Sequence, residues 1–433
     1  MLKISTIVGA RPQFIKAAPV SRAIARHNEK SPEAEQVEEI IIHTGQHYDE
    51  NMSKIFFDEL HIPRPNHNLG IGSDTHGRQT GRMLAGIEDI LIEENPQMVL
   101  TYGDTNSTLA GALAAVKLHI PSAHVEAGLR SYNRKMPEEI NRVVTDEISN
   151  ILFCPTEAAV MNLKSEGISD EFSGDRLSTA SSGLPRIVAN VGDVMHDSIL
   201  YNKQLARTRS DILKKLFPDG GDIPDYCLVT VHRPENTDNE KILREIFAAL
   251  RNIAGRGVIM ILPLHPRTRK TISEFGLNRD FNFLEGLEAE PDNRTGAMNP
   301  TNSIALLNPV SYLDMIQLES TAKAVFTDSG GVQKEAYLLG VPCVTLRNET
   351  EWVETVNEGW NILTGPHVDR IENAFTLISK WTGKEPPFNL LKEEASNNSF
   401  HTTRKCPYGD GTASEKIIEI LLKFSTADPF FSE

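Results

Sequence analysis

The feature that most constrains the fold is a rhythm of short, largely apolar runs that stop at a polar turn and pass into a helical pattern. It is clearest over residues 98–142, MVLTYGDTNSTLAGALAAVKLHIPSAHVEAGLRSYNRKMPEEINR. Val99, Leu100 and Tyr102 stop at Gly103-Asp104-Thr105, and Ala-rich helical spacing follows over 109–116. A second apolar run, 120–125, ends in Glu126-Ala127-Gly128, with Arg130 just beyond. Strand, polar turn and helix in alternation is the βα unit, and parallel strands need such helical crossovers to connect them. The expected fold class is therefore α/β, with helices covering parallel sheets. Ligands of such sheets bind outside the carboxyl ends of the strands, where Asp104 and Glu126 fall. Glu138 and Glu139 follow Pro137, and Arg130, Arg134 and Arg142 are interleaved. The stretch thus joins carboxylates for proton transfer with guanidiniums for an anion. One acid at a strand end can simply cap the next helix, but several acids with three arginines favour chemistry.

The rhythm recurs along the chain. A strand over 3–8 runs into Gly9-Ala10-Arg11-Pro12, with Lys16 in a helix over 14–26. Further strands are expected at 37–43, 151–154 and 187–191, and helices at 52–60, 79–94 and 157–166. In the second half, a strand over 226–231 ends in His232-Arg233-Pro234, and one over 258–262 in Pro263-Leu264-His265-Pro266-Arg267. A helix is expected over 240–254. A strand over 324–326 runs into Asp328-Ser329-Gly330-Gly331 and a helix over 332–339. Segments 169–185 and 286–302 lack an apolar period and read as surface insertions. A chain of 433 residues exceeds one ordinary core. The two alternating halves predict two Rossmann-like domains facing across a cleft, with the boundary near Asp193.

Composition narrows the function. A formal net charge of -15 argues against nucleic acid or an anionic membrane as the partner, so any anion must meet a local basic pocket. No apolar run approaches the roughly 18 residues of a membrane helix. The four cysteines, Cys154, Cys227, Cys343 and Cys406, form no CxxC, which fits a reducing cytoplasm and neither a zinc ribbon nor a disulfide framework. His43 and His47 lack the glutamate of HExxH and flank Gly45, so no metal is expected. Gly70 and Gly72 do not open a dinucleotide fingerprint, because Thr75 stands where the third glycine belongs, and the Walker pattern is absent. Ser329-Gly330-Gly331 at a strand-to-helix junction is a phosphate signal, the alternative being a plain cap at Ser329. Glu335, further into that helix, has oxygens for two ribose hydroxyls. His232-Arg233 and His265-Pro266-Arg267, with Arg11 and Lys16 from the first half, have the chemistry to neutralise a diphosphate.

Taken in order, the motifs GARPQFIK, HTGQH, GDTNST, HVEAGLR, PEEINR, VHRPEN, LPLHPRTR and TDSGGVQKEA resemble those of the non-hydrolysing UDP-N-acetylglucosamine 2-epimerase family. The resemblance covers nearly the whole chain apart from the insertions. It implies a GT-B fold, with an acid/base domain over 1–193 joined by a C-terminal helix over 413–424, and a UDP-binding domain over 194–400. The implied reaction is reversible inversion at C2 of a UDP-2-acetamido sugar, by anti-elimination of UDP to a 2-acetamidoglucal and re-addition. It would run without a cofactor, in a homodimer, feeding surface polysaccharide synthesis. By match to the family's motifs, Asp104, Glu126 and Glu138 share the acid–base work and His232 stabilises the departing diphosphate. Arg11, Lys16 and Arg142 bind phosphate or position the acids. Ser329, Gly330 and Gly331 hold the diphosphate, and Glu335 the ribose. The chemistry agrees: the C2 proton is not next to a carbonyl, so it is removed through elimination or oxidation, and nothing in the chain indicates oxidation.

Between EAGLR and PEE this chain has Ser131-Tyr132-Asn133-Arg134-Lys135-Met136 in place of a longer Tyr-Ser-Pro-containing segment. That version looks like the subgroup acting on UDP-2,3-diacetamido-2,3-dideoxyglucuronate, and Arg134 or Lys135 would then meet the uronate carboxylate. A solvated loop is the other reading of these two cations. A GT-B glycosyltransferase using a UDP-sugar donor and a non-catalytic UDP-sugar sensor are the competing functions.

Overall fold

A computed structural model describes residues 1–45, 63–169, 172–173, 176–177, 186–218, 222–264, 266–277, 282–283, 304–383, 386–388 and 406–427. The chain divides into two compact units, Met1–Leu200 with Thr403–Glu433, and Tyr201–Thr402.

The first unit contains β1 (Leu2–Val8), β2 (Val37–His43), β3 (His67–Asn68), β4 (Met98–Tyr102), β5 (Ser122–Val125), β6 (Ile151–Cys154) and β9 (Ile187–Asn190), with a small antiparallel hairpin of β7 (Phe172–Ser173) and β8 (Arg176–Leu177). Its sheet has the order β3-β2-β1-β4-β5-β6-β9 and is parallel throughout. The helices are α1 (Arg11–Asn28), α2 (His76–Glu94), α3 (Asn106–Lys117), α4 (Pro137–Ile148) and α5 (Glu157–Ser165), and α6 (Val194–Arg209) carries the chain onward. β4 and β5 are buried at every position, and polar side chains enclosed with them find partners: Thr101 Oγ1 donates to the Ala123 carbonyl at 3.3 Å and His124 meets Asp146 at 2.7 Å. Met83, Ile87 and Leu91 of α2 pack on Ile40, Ile42 and Val99 together with the small side chains of α3. The order reverses where β1 lies beside β4, with Ile4 opposite Met98 and Ile7 opposite Thr101. This reversal is the switch point at which doubly wound sheets open a crevice. Arg11 follows one of these strands and Asp104 the other.

The second unit repeats the plan. It has β10 (Tyr226–Thr230), β11 (Ile259–Pro263), β12 (Asn282–Phe283), β13 (Ile304–Leu307), β14 (Ala324–Thr327), β15 (Cys343–Thr345) and β16 (Asn361–Leu363), in the parallel order β12-β13-β11-β10-β14-β15-β16. The longer helices are α7 (Glu240–Ala254), α8 (Pro266–Glu274), α9 (Tyr312–Thr321), α10 (Gly330–Leu339) and α11 (Val368–Ser379). Leu243, Ile246, Phe247, Leu250 and Ile253 of α7 form one buried face at helical spacing. At about 2 kcal/mol for each buried side chain, that face contributes on the order of 10 kcal/mol before ordering entropy is subtracted. The switch point falls between β10 and β14, where Thr230 is opposite Thr327.

A last helix, α12 (Ala413–Ala427), belongs to the first unit. The Asp197 carboxylate accepts the N–H groups of Ala413 and Ser414 at 3.1 and 2.7 Å, satisfying donors that a helix start leaves open. Arg26 of α1 pairs with Glu415 at 3.2 Å.

Helices α1, α2, α3 and α10 begin two or three residues earlier than apolar spacing predicts. α3 starts at Asn106 because Thr105 caps it, its Oγ1 accepting from the Thr108 N–H at 3.4 Å while Thr108 Oγ1 accepts the Thr105 N–H at 3.1 Å. α10 starts at Gly330, two glycines that spacing assigned to a loop being helical. β16 escapes the pattern because it is short and opens on Asn361, whose side chain is buried but bonded to Thr345 Oγ1 at 2.7 Å. His47, the expected helix over 52–60 and the segment 286–302 lie outside the described residues, as does most of 169–185.

Candidate active site

In the first unit the ends of β1, β4 and β5 converge. The Lys16 ammonium of α1 is paired with the Glu126 carboxylate after β5, and the Arg142 guanidinium of α4 with Asp104 after β4. Lys16 and Arg142, expected to bind phosphate or position acids, are both found on acids. Arg142 also meets Glu139 at 2.9 Å, so its two ends bridge two carboxylates. Asp104 keeps about a third of its side chain open (32%), whereas Glu126 is nearly closed off (7%). Glu138 is exposed on the first turn of α4.

Local backbone explains how two acids reach this point. Glu126 has φ 75, in the left-handed region that side chains avoid, at a cost of order 1–3 kcal/mol. The amides of Glu126 and Ala127 both donate to Phe153 O at 3.1 Å and hold that turn. Gly103 has φ 65, and a Cβ there would stand 3.0 Å from Lys16 Nζ and 3.3 Å from Glu126 Oε2. Glycine is therefore favoured by conformation, and an added Cβ would press on the ion pair.

Beneath these turns lies a buried polar network that the motifs alone did not single out. His124 Nδ1 is 2.7 Å from Asp146 Oδ1, and its Nε2 is 2.7 Å from the Gly103 carbonyl oxygen. Asp146 also accepts the Gly128 N–H at 3.1 Å and an Arg130 N–H at 2.7 Å. One carboxylate thus ties together the turn that carries Asp104 and the turn that carries Glu126. Burial alone would raise the Asp146 pKa, but His124 and Arg130 outweigh it and hold the carboxyl below its usual range. Arg130, read from sequence as an anion ligand, is corrected by the structure. It is buried between Asp146 and Glu166, with two bonds to Glu166 at 2.8 and 2.7 Å.

Glu139 rather than Glu138 is the buried member of its pair. Its oxygens accept the Ser131 and Tyr132 amides at 3.0 and 2.9 Å and the Ser131 hydroxyl at 2.9 Å. Its pKa is lowered: burial opposes this, and the Ser131 bonds and the Arg142 charge prevail. Glu139 thereby fixes the start of the loop whose Arg134 and Lys135 are exposed. Asn141 donates to the Asp104 carbonyl at 3.0 Å. The signal for these residues was the polar spacing Glu139, Arg142, Asp146, one inward face of α4, legible only once that face is known to be inward.

In the second unit, Asp328 organises the switch point. Fully buried, its carboxylate accepts the amides of His232 at 3.1 Å and Arg233 at 3.0 Å and the Asn236 side chain at 3.1 Å. The His232 imidazole is 43% exposed, with Nδ1 3.3 Å from Asp328. Ser329 occupies the cap position of α10, but its side chain makes no capping bond, so the first-turn N–H groups remain available to an anion. Gly331 is exposed, and a Cβ on Gly330 would stand 3.3 Å from Trp352 Nε1. Arg233 Nε is buried with no acceptor among the described residues. Glu335 is buried and accepts the Tyr312 hydroxyl at 3.1 Å. Arg11 and Arg267 are placed by their backbones at the starts of α1 and α8, and His265 lies outside the described residues. Among the described residues no group of three or more His, Cys, Asp and Glu side chains is arranged to hold a metal, and no helix is long and apolar enough to cross a membrane.

The sequence profile of the UDP-N-acetylglucosamine 2-epimerase family matches residues 29–422. The chain belongs to this family. A Methanococcus maripaludis UDP-N-acetylglucosamine 2-epimerase homolog is 50% identical, over 97% of this chain and 99% of its own. The UDP-2,3-diacetamido-2,3-dideoxy-D-glucuronate 2-epimerase of Pseudomonas aeruginosa is 45% identical, over 98% and 100%. Among solved structures, the Methanocaldococcus jannaschii UDP-GlcNAc 2-epimerase in complex with UDP-GlcNAc and UDP is similar with a TM-score of 0.74 and 39% identity, over 98% of this chain and 100% of that one. The architecture of the family member described here is GT-B, two units each built on a doubly wound parallel sheet.

Proposed function

We infer that the protein is a non-hydrolysing UDP-sugar 2-epimerase that reversibly inverts C2 of a UDP-2-acetamido sugar. Family membership supports the reaction class. The observation that carries the mechanism is the pairing of Glu126 with Lys16 and of Asp104 with Arg142 at the end of one sheet. In our reading a carboxylate from the set Asp104, Glu126 and Glu138 removes the C2 proton. The C–H electrons form the C1=C2 bond as the C1–O bond breaks, and UDP leaves as an anion. Return of a proton to the opposite face of C2, with attack of the UDP oxygen on C1, completes the inversion. His232, Arg233 and the open N-terminus of α10 at Ser329, Gly330 and Gly331 stabilise the diphosphate, with Arg11, His265 and Arg267 as further cationic contacts. Glu335 accepts the ribose hydroxyls. A glycosyltransferase or a sensor would hold UDP through the same second-unit residues, but a C2 inversion needs the carboxylates paired with cations at the ends of β4 and β5, and a sensor does not.

As to substrate, the exposed Arg134 and Lys135, on a loop anchored by Glu139, favour a uronate whose extra carboxylate they would meet. Cytoplasmic location and a role in surface polysaccharide synthesis complete the reading, in keeping with Cys154, Cys227 and Cys343, which are buried thiols. So does a homodimer, in keeping with Ile140 and Val144 exposed one turn apart on α4. Proton NMR in deuterated water, without nicotinamide, tests the whole: UDP-N-acetylglucosamine and its 2,3-diacetamido uronate analogue are supplied separately. Deuterium at C2 with a new manno-configured product is expected, and the substrate that exchanges names the subgroup. Tight UDP binding without exchange of either would replace this reading with the transferase or sensor.

A further inference from the structure

Glu319 of α9 is completely buried (0% exposed), and among the described residues no donor reaches either of its side-chain oxygens. Its polar neighbour is another acid, Glu335 of α10, at hydrogen-bonding range. Two carboxylates side by side have only acceptors to offer, so the contact closes as a hydrogen bond only when one of them holds a proton. Glu335 already accepts the Tyr312 hydroxyl at 3.1 Å, whereas Glu319 has no such support. A charge on Glu319 would in turn push up the neighbouring Tyr226 hydroxyl of β10 and Cys343 thiol of β15, neither of which could neutralise it. Tyr226 spends its hydroxyl on the Leu318 carbonyl at 2.6 Å. Burial, then the facing Glu335 charge, place the Glu319 carboxyl well above the usual carboxylate range.

We propose that Glu319 is a positioning residue for the nucleotide: as a neutral carboxylic acid it donates its proton-bearing oxygen to Glu335 and, with Tyr312, fixes the Glu335 carboxylate for the ribose hydroxyls. The proposal rests on the reading of Glu335 as the ribose contact. A side chain buried with its charge removed costs far less than a second buried carboxylate, and the donated bond uses one lone pair of Glu335 while leaving others for the sugar. Glu319 never touches substrate. Its effect is on binding of the nucleotide rather than on the chemical step.

Three variants of the full-length enzyme test this: Glu319→Gln keeps a neutral donor, Glu319→Leu removes it at similar volume, and Glu335→Ala removes the acceptor. The infrared difference spectrum of wild type minus Glu319→Gln at neutral pH should contain the C=O stretch of a protonated carboxyl. Loss of a bond to a charged acceptor should raise KM for the UDP-sugar about tenfold in Glu319→Leu with kcat little changed, and Glu319→Gln should restore it to within about twofold of wild type. Absence of the carboxyl band overturns the proposal, and that measurement needs only Glu319→Gln, so it decides even where Glu319→Leu does not fold. An unchanged KM in Glu319→Leu beside a raised KM in Glu335→Ala also overturns it, with the ribose reading intact. An unchanged KM in Glu335→Ala removes the ribose reading itself.

Discussion

Replacing Asp146 with Asn tests the claim that one buried carboxylate holds both acid-bearing turns. The side chain is fully buried and serves three donors: the His124 ring at 2.7 Å, the Gly128 amide at 3.1 Å and Arg130 at 2.7 Å. Asparagine leaves one acceptor oxygen and turns an NH2 group toward a donor. Removing one partner of a buried ion pair costs about 3–5 kcal/mol. Arg130 retains Glu166, so the lower end, about 3 kcal/mol, is expected for Asp146→Asn. For a unit of this size each kcal/mol moves Tm by about 2–4 °C, giving a drop of about 6–12 °C. Differential scanning calorimetry at neutral pH reads it. The same variant should lower kcat, because His124 would no longer hold the Gly103 carbonyl ahead of Asp104, while UDP affinity stays near wild type. A Tm within about 1 °C of wild type with undiminished kcat would refute the reasoning.

Asp104→Asn and Glu126→Gln should each cut turnover sharply while calorimetric UDP binding survives; wild-type turnover in both would remove them from the acid–base set. His232→Ala should slow the reaction through the leaving group, and an unchanged kcat would exclude it from that role. Gly128→Ala should destabilise by more than about 2 kcal/mol, since φ is 79 and the added Cβ would crowd the Ala159 carbonyl; a denaturant midpoint equal to wild type would contradict this. Asp146 and Glu139 both titrate below their ordinary values of 3.8 and 4.5, so each binds its proton more weakly when folded than when unfolded. The stability they supply is complete above those ordinary values and is lost as pH falls through the folded ones, so denaturant midpoints should decline in acid. A Glu139→Gln variant should show a shallower decline, and an identical slope would separate Glu139 from acid sensitivity.

Much of the architecture was legible because its causes are local. A largely apolar run such as Met98–Tyr102 or Tyr226–Thr230 specifies a buried strand, and the polar turn that ends it marks the carboxyl edge of the sheet. Asp104, Glu126, His232 and Ser329 all sit at such ends. What local pattern concealed were the helical first turns hidden behind Thr105 and Ser329 and the burial of Arg130. Concealed too were the burial of Glu139 beside an exposed Glu138, and the paired acids Glu319 and Glu335. A charged residue reads the same in sequence whether water or an opposite charge surrounds it.

The sequence by itself determined the βα alternation, the polar turns at the strand ends and the family, because period, turn residues and ordered motifs are properties of neighbouring positions. Tertiary structure decided the partners. Lys16 meets Glu126 and Arg142 meets Asp104 only because β1, β4 and β5 lie side by side in the sheet and α1 and α4 carry the two cations to that edge, and strand order is set by the packing of helices on both faces, which no single stretch of chain contains.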